Sequence, residues 1–87
     1  MSEFLRGVGR MVTADRVIDA RGSFCPGPLM EMIRAIKTAE VGQVVEVLTS
    51  DSGSRTDIPK WAEKAGQELV EVVSRDGGDA ILVRKVK

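Results

Sequence analysis

Cys25 is the only cysteine of the 87-residue chain and stands in Ser23-Phe24-Cys25-Pro26-Gly27-Pro28. The two prolines decide what its thiol can do. A residue before proline is pushed out of the helical region, so Cys25 and Gly27 are expected to be extended. Pro28 then opens a helix at the favoured first position, with Gly27 as its N-cap. This leaves the thiol on a rigid, solvent-facing tip just ahead of a helix N-terminus, whose partial positive charge favours the thiolate. The dipole effect is modest, roughly 0.3 to 2 kcal/mol, and gives a usable thiolate rather than an extreme one. Such a sulfur suits a group that must both accept and release a partner sulfur, because a very low pKa also brings poor nucleophilicity. A free cysteine is most commonly a small buried hydrophobe. Cys25, however, lies outside both of the helical apolar stripes described below and is flanked by proline and a glycine-bearing loop, so its surroundings favour reactivity over burial.

The rest of the inventory narrows that reactivity. The chain has no histidine, which removes Ser-His-Asp and Cys-His nucleophile pairs, Cys₂His₂ fingers and His-carboxylate metal sites. With one cysteine there is neither an internal disulfide nor an internal resolving thiol, so turnover must use a partner or a small thiol. No metal and no cofactor is expected. Thirteen basic residues balance thirteen acidic ones, and the aromatics are one Trp and two Phe. That leaves neither an electrostatic footprint for phosphate backbones nor platforms for stacking bases, so no direct nucleic-acid binding is expected. No apolar run approaches the roughly 20 residues needed to span a bilayer, and residues 1–15 lack the apolar stretch of a signal peptide. The expectation is a cytoplasmic chain without membrane contact, where reducing conditions keep the thiol free.

The elements that must position Cys25 follow from periodicity. Residues 1–15 show no sustained period and read as a flexible N-terminal arm, with Met11 as an alternative start; residues 16–87 read as a single domain. Val17-Ile18-Asp19-Ala20 predicts a first strand and Arg21-Gly22-Ser23 a loop. Leu29, Met32, Ile33 and Ile36 repeat at helical spacing from Pro28, ending near Thr38 to Gly42. Val44–Thr49 predicts a second strand and Ser50–Ser54 a polar loop. Ile58, Trp61, Ala62 and Ala65 predict a second helix with Thr56 or Asp57 as cap, Pro59 in its first turn and Gly66 at its end. Leu69–Val73 and Ala80–Val86, around Asp76-Gly77-Gly78-Asp79, predict a C-terminal hairpin. The order β-α-β-α-β-β implies an α/β (α+β) two-layer sandwich, a four-stranded mixed sheet with two helices on one face. Its first βαβ unit should be parallel and right-handed. Val45, Val47, Val70, Val72, Ile81 and Val83 are expected to point inward, and Glu46, Glu71 and Arg84 outward. Trp61, Met30 and Met32 are expected to fill the core.

Two segments carry a resemblance: Asp19 to Pro28, with Cys-Pro-x-Pro at the start of the first helix, and Asp51-Ser52-Gly53-Ser54-Arg55-Thr56-Asp57-Ile58-Pro59 before the second. Together they resemble the TusA/SirA-like sulfur-carrier (sulfurtransferase) family over about Val17 to Val86. The resemblance implies a persulfide on Cys25, supported by Pro26, Gly27 and Pro28, loaded by a cysteine desulfurase or rhodanese-like donor and passed to an acceptor protein. It links such chains to tRNA thiolation, molybdenum-cofactor supply and sulfur oxidation. The family often has leucine where Ser23 stands and a basic residue where Phe24 stands, and both positions would rim a contact surface. Phe24, Asp51 and Arg55 are therefore candidate partner or anion contacts, Arg55 as a cation able to hold a negative sulfur. Two other classes are weighed against this one: an RNA-binding or regulatory interaction module on the same sandwich, and a thiol redox sensor forming a sulfenate.

Overall fold

The structure, a computed structural model, describes residues 13–24, 26–75 and 77–87. Residues 1–12 of the expected arm, Cys25 and Asp76 lie outside the described residues. Among the described residues six elements follow in the expected order: β1 (Arg16–Asp19), α1 (Gly27–Thr38), β2 (Val44–Thr49), α2 (Ser52–Ala65), β3 (Glu68–Arg75) and β4 (Gly78–Arg84). The sheet runs β1-β2-β4-β3. β1 pairs with β2 in parallel, Arg16 opposite Val45 and Asp19 opposite Leu48, and β4 is antiparallel to both β2 and β3. This is the mixed sheet expected from the pattern. The parallel pair is clamped at its entrance by Asp15, whose backbone N–H donates to Val44 O at 2.8 Å and whose carboxylate accepts the Val44 N–H at 2.8 Å.

Both helices bury their stripes on the same face. Met32, Ala35 and Ile36 of α1 and Ile58 and Ala62 of α2 pack with Val45, Val47, Ile81 and Val83, while Ile18, Val72 and Trp61 border them. Burying each large aliphatic side chain there contributes about 1.5 to 3 kcal/mol. Of the expected inward residues only Val70 is misplaced. It packs with Val44, Ala80 and Leu82 on the face opposite the helices. The cause is a bulge: Leu69 faces Val83 but Glu71 faces Leu82, so one extra residue sits between two consecutive partners and alternation skips a beat. Glu46 does lie on the helix-free face, yet it is only 3% exposed, so that face is buried around its centre as well.

The helix boundaries differ from expectation in three ways. First, α1 begins one residue early: Pro26 is the N-cap and Gly27 the first helical residue, with Pro28 second and buried. Gly27 is therefore helical rather than extended. The tight turn in which Gly27 N–H donates to Phe24 O at 2.7 Å and Met30 N–H to Pro26 O at 2.8 Å winds the chain before Pro28 is reached. Second, α2 begins at Ser52, so most of the expected Ser50–Ser54 loop is its first turn, and Asp51 rather than Thr56 or Asp57 is the N-cap. Ser54 drives this. Its N–H donates to Asp51 O at 3.1 Å and its fully buried hydroxyl to Asp51 Oδ2 at 3.1 Å. Third, Pro59 consequently sits inside α2 instead of in its first turn, where it cannot donate to the Arg55 carbonyl. Gly66, left-handed at φ 77°, closes α2 as expected. Met32 is fully buried, whereas Met30 is 45% exposed and not part of the core.

Gly78 opens β4 against the end of β2. A Cβ there would collide with Thr49 O and come within 2.9 Å of Ser50 Cα, and both are backbone atoms that cannot swing aside. Gly78→Ala is therefore expected to destabilise the fold by at least about 1 to 3 kcal/mol, and Ile58→Ala, emptying a fully buried position, by about 2 to 5 kcal/mol. Urea unfolding followed by Trp61 fluorescence measures both; an unchanged midpoint for Gly78→Ala would show that strand β4 can retreat from Thr49.

Candidate functional site

Because β1 and β2 are parallel, their C-terminal ends open on one edge of the sheet, and the chain leaves both toward helix N-termini on that edge. Ala20 N–H donates to Leu48 O at 2.8 Å, carrying the β1–β2 ladder one residue past β1. Gly22 N–H donates to Ser50 Oγ at 3.1 Å, and Ser23 N–H turns back to Ala20 O at 3.1 Å. The loop before the thiol is thus tied to the loop before α2. Ser50 was not singled out from the sequence, and its only signal is a hydroxyl just past a strand end.

Cys25 itself lies outside the described residues. Its neighbours Phe24 and Pro26 are both exposed, Phe24 at 77%. Pro26, Gly27 and Pro28 form the cap and first two positions of α1, a turn that contains no acidic residue and no side-chain cap. Its positive end is therefore not offset from within the first turn. Asp51 caps α2, its N–H donating to Thr49 Oγ1 at 3.0 Å. Arg55 donates to the Asp79 carboxylate at the start of β4. The cation chosen from the sequence as a sulfur contact is thus held by an acid on another strand, although its side chain stays half exposed. The structure therefore brings the Asp19–Pro28 and Asp51–Arg55 segments to one edge and gives Arg55 a partner within the fold. Among the described residues no cluster of three or more Asp, Glu, His or Cys is placed to hold a metal ion.

Asp19 and Arg21 form a second ion pair at this edge, whose only sign in the sequence is opposite charges two apart at a strand end. Arg21 grips the carboxylate with two nitrogens, Nε to Oδ1 at 2.9 Å and a terminal nitrogen to Oδ2 at 2.7 Å, and adds its backbone N–H to Oδ1 at 3.1 Å. The side-chain bonds, then the backbone bond, hold the Asp19 carboxyl down at a pKa of about 2, and Arg21 is correspondingly raised. A folded value below the unfolded one of about 3.9 means that the pair's stabilisation is present above about pH 4 and lost as pH falls through about 2. In an NMR titration the Asp19 carboxyl is expected to titrate near pH 2, and in Arg21→Gln to move up toward the ordinary aspartate value. A midpoint unmoved by that substitution would assign the shift to another group.

Comparison with known proteins places this geometry. The family model for sulfurtransferase TusA matches residues 16–85. A protein of Archaeoglobus fulgidus assigned provisionally to the sulfur carriers is 61% identical over 71 residues, covering 82% of this chain and 97% of that one. The sulfur carrier protein TusA of Pseudomonas savastanoi is 34% identical over 74 residues, covering 85% of this chain and 88% of that one. Among solved structures, a SirA-like protein from Desulfitobacterium hafniense superposes with a TM-score of 0.72 at 31% identity, covering 83% of this chain and 99% of that one. The fold, the Pro26-Gly27-Pro28 head of α1 directly after Cys25 in the sequence, and these matches agree, and the chain belongs to the TusA family of sulfur carriers.

Proposed function

We propose that this chain carries a sulfane sulfur as a persulfide on Cys25, in the cytoplasm, between a cysteine desulfurase or rhodanese-like donor and an acceptor protein. The observation that carries the proposal is the placement of the residues around Cys25: its described neighbours Phe24 and Pro26 are exposed, and Pro26-Gly27-Pro28 forms the head of a 12-residue helix without a side-chain cap. A thiolate ahead of that positive end attacks the outer sulfur of a donor persulfide. The new bond joins Cys25 Sγ to that sulfur, the donor's S–S bond breaks, and its electron pair leaves on the donor thiolate. Delivery is the same exchange in reverse, with an acceptor thiolate as nucleophile and Cys25 as the leaving group. Neither direction needs an oxidant. With no histidine in the chain, activation of the attacking acceptor falls to the partner. The acceptor then decides whether the sulfur reaches tRNA, molybdenum cofactor or an oxidation route. Asp51 and Arg55 are assigned here as partner or anion contacts, with Arg55 exchanging Asp79 for a negative group on the docked complex.

Intact-mass measurement after incubation with a desulfurase and cysteine, or with thiosulfate or tetrathionate, tests the proposal. The wild type is expected to gain one sulfur atom from the desulfurase or from thiosulfate, which leaves as sulfite, and a thiosulfate group from tetrathionate, which leaves as thiosulfate, and Cys25→Ser to gain neither; absence of a Cys25-dependent adduct from every donor would sink the carrier reading. Arg55→Ala is expected to load normally from small donors but to pass sulfur to or from a protein partner several-fold more slowly. Transfer at the wild-type rate would remove Arg55 from the contact surface.

A further inference from the structure

Phe24 is both the bulkiest and the most open of the exposed large hydrophobic side chains among the described residues, at 77%. Its backbone is held: Ser23 N–H turns back to Ala20 O at 3.1 Å, Phe24 O accepts from Gly27 N–H at 2.7 Å, and Gly22 is tied to Ser50 at 3.1 Å. An exposed aromatic on a held backbone has only two side-chain torsions to lose when a partner buries it, and aromatic residues are enriched at interfaces. Met30, in the first turn of α1, adds a second apolar side chain at 45% exposure.

The charges around it say what kind of surface it meets. Arg21 is taken up by Asp19 and Arg55 by Asp79, and neither helix has an acidic residue in its first turn. With Arg21 and Arg55 each held by an acid within the fold, the described side chains of this edge offer an apolar knob rather than a charged one. Resting on the carrier reading above, we infer that Phe24 is a specificity-determining residue of sulfur transfer. It seats in an apolar recess beside the reactive cysteine of a partner protein, so that partners with apolar residues flanking that cysteine are preferred. The transfer is the exchange already written: the partner thiolate bonds to the outer sulfur, the Cys25 S–S bond breaks, and the electron pair stays on Cys25.

The test uses the full chain and two eight-residue acceptor peptides of equal charge, each with one central cysteine, flanked in one by Leu and Phe and in the other by Ser and Asn. The chain is first loaded with sulfur, and single-turnover transfer to each peptide is followed by mass. The wild type is expected to favour the apolar peptide by about five- to tenfold, Phe24→Ser to lose the preference, and Phe24→Leu to recover part of it. The urea midpoint is expected to be the same in all three, since an exposed ring supports no packing. Equal rates of the wild type with both peptides, or a preference that survives Phe24→Ser, would overturn the inference while leaving the carrier reading intact. A wild type that takes up no sulfur from any donor would overturn both.

Discussion

The parallel pairing of β1 with β2 is the constraint on which everything else hangs. Two neighbouring strands running the same way must be joined by a crossover, and the crossover here is α1, held against the sheet by Met32, Ala35 and Ile36. Once that is so, the exit from β1, the exit from β2 and the heads of both helices gather at one edge. Residues 20–24 and Pro26 lie on the short connection that a βαβ unit must make, and the bonds from Ala20 to Leu48 and Gly22 to Ser50 tie that connection to β2 and the loop after it.

Much of this was legible in the sequence because hydrophobic period and punctuation agreed. The apolar stripes of both helices, the β-branched run of β2 and the glycine after α2 each needed only local information, and the element order then left few topologies. Cys25 stood out for a similar reason, being out of phase with every stripe and bracketed by prolines. Where sequence reasoning slipped, a tertiary contact outvoted a local preference. Ser54 reads as loop, but its buried hydroxyl on Asp51 starts α2 four residues before Thr56. Gly27 precedes a proline and should be extended, but the turn closed by Phe24 O has already begun the helix there. Arg55 looked like a free cation because Asp79 is 24 residues away, and only the return of β4 alongside β2 brings the two together.

The electrostatics of the edge follow the same logic of internal settlement. Asp19 with Arg21, and Arg55 with Asp79, each pair opposite charges at the rim of the sheet. Neither helix carries an acid in its first turn, but α2 follows an aspartate N-cap, Asp51, whereas α1 follows Pro26, which has no acidic side chain. For the persulfide relay proposed above, a weak, fixed source of positive potential suits a sulfur that is held and then given up. A side-chain cation sitting on the sulfur would retain it more tightly and slow its release.

The bulge in β3 has a consequence for how such a domain can vary in length. Leu69 and Glu71 already face consecutive partners on β4, Val83 and Leu82, and Val70 is the residue between them without a place in the ladder. Excision of Val70 would join Leu69 to Glu71 with every other cross-strand neighbour kept, whereas loss of any residue from β2 would shift half that strand across the sheet. The hairpin thus contains its own splice point, and the strand at the far side of the sheet from β1 is the one able to absorb a change in residue count.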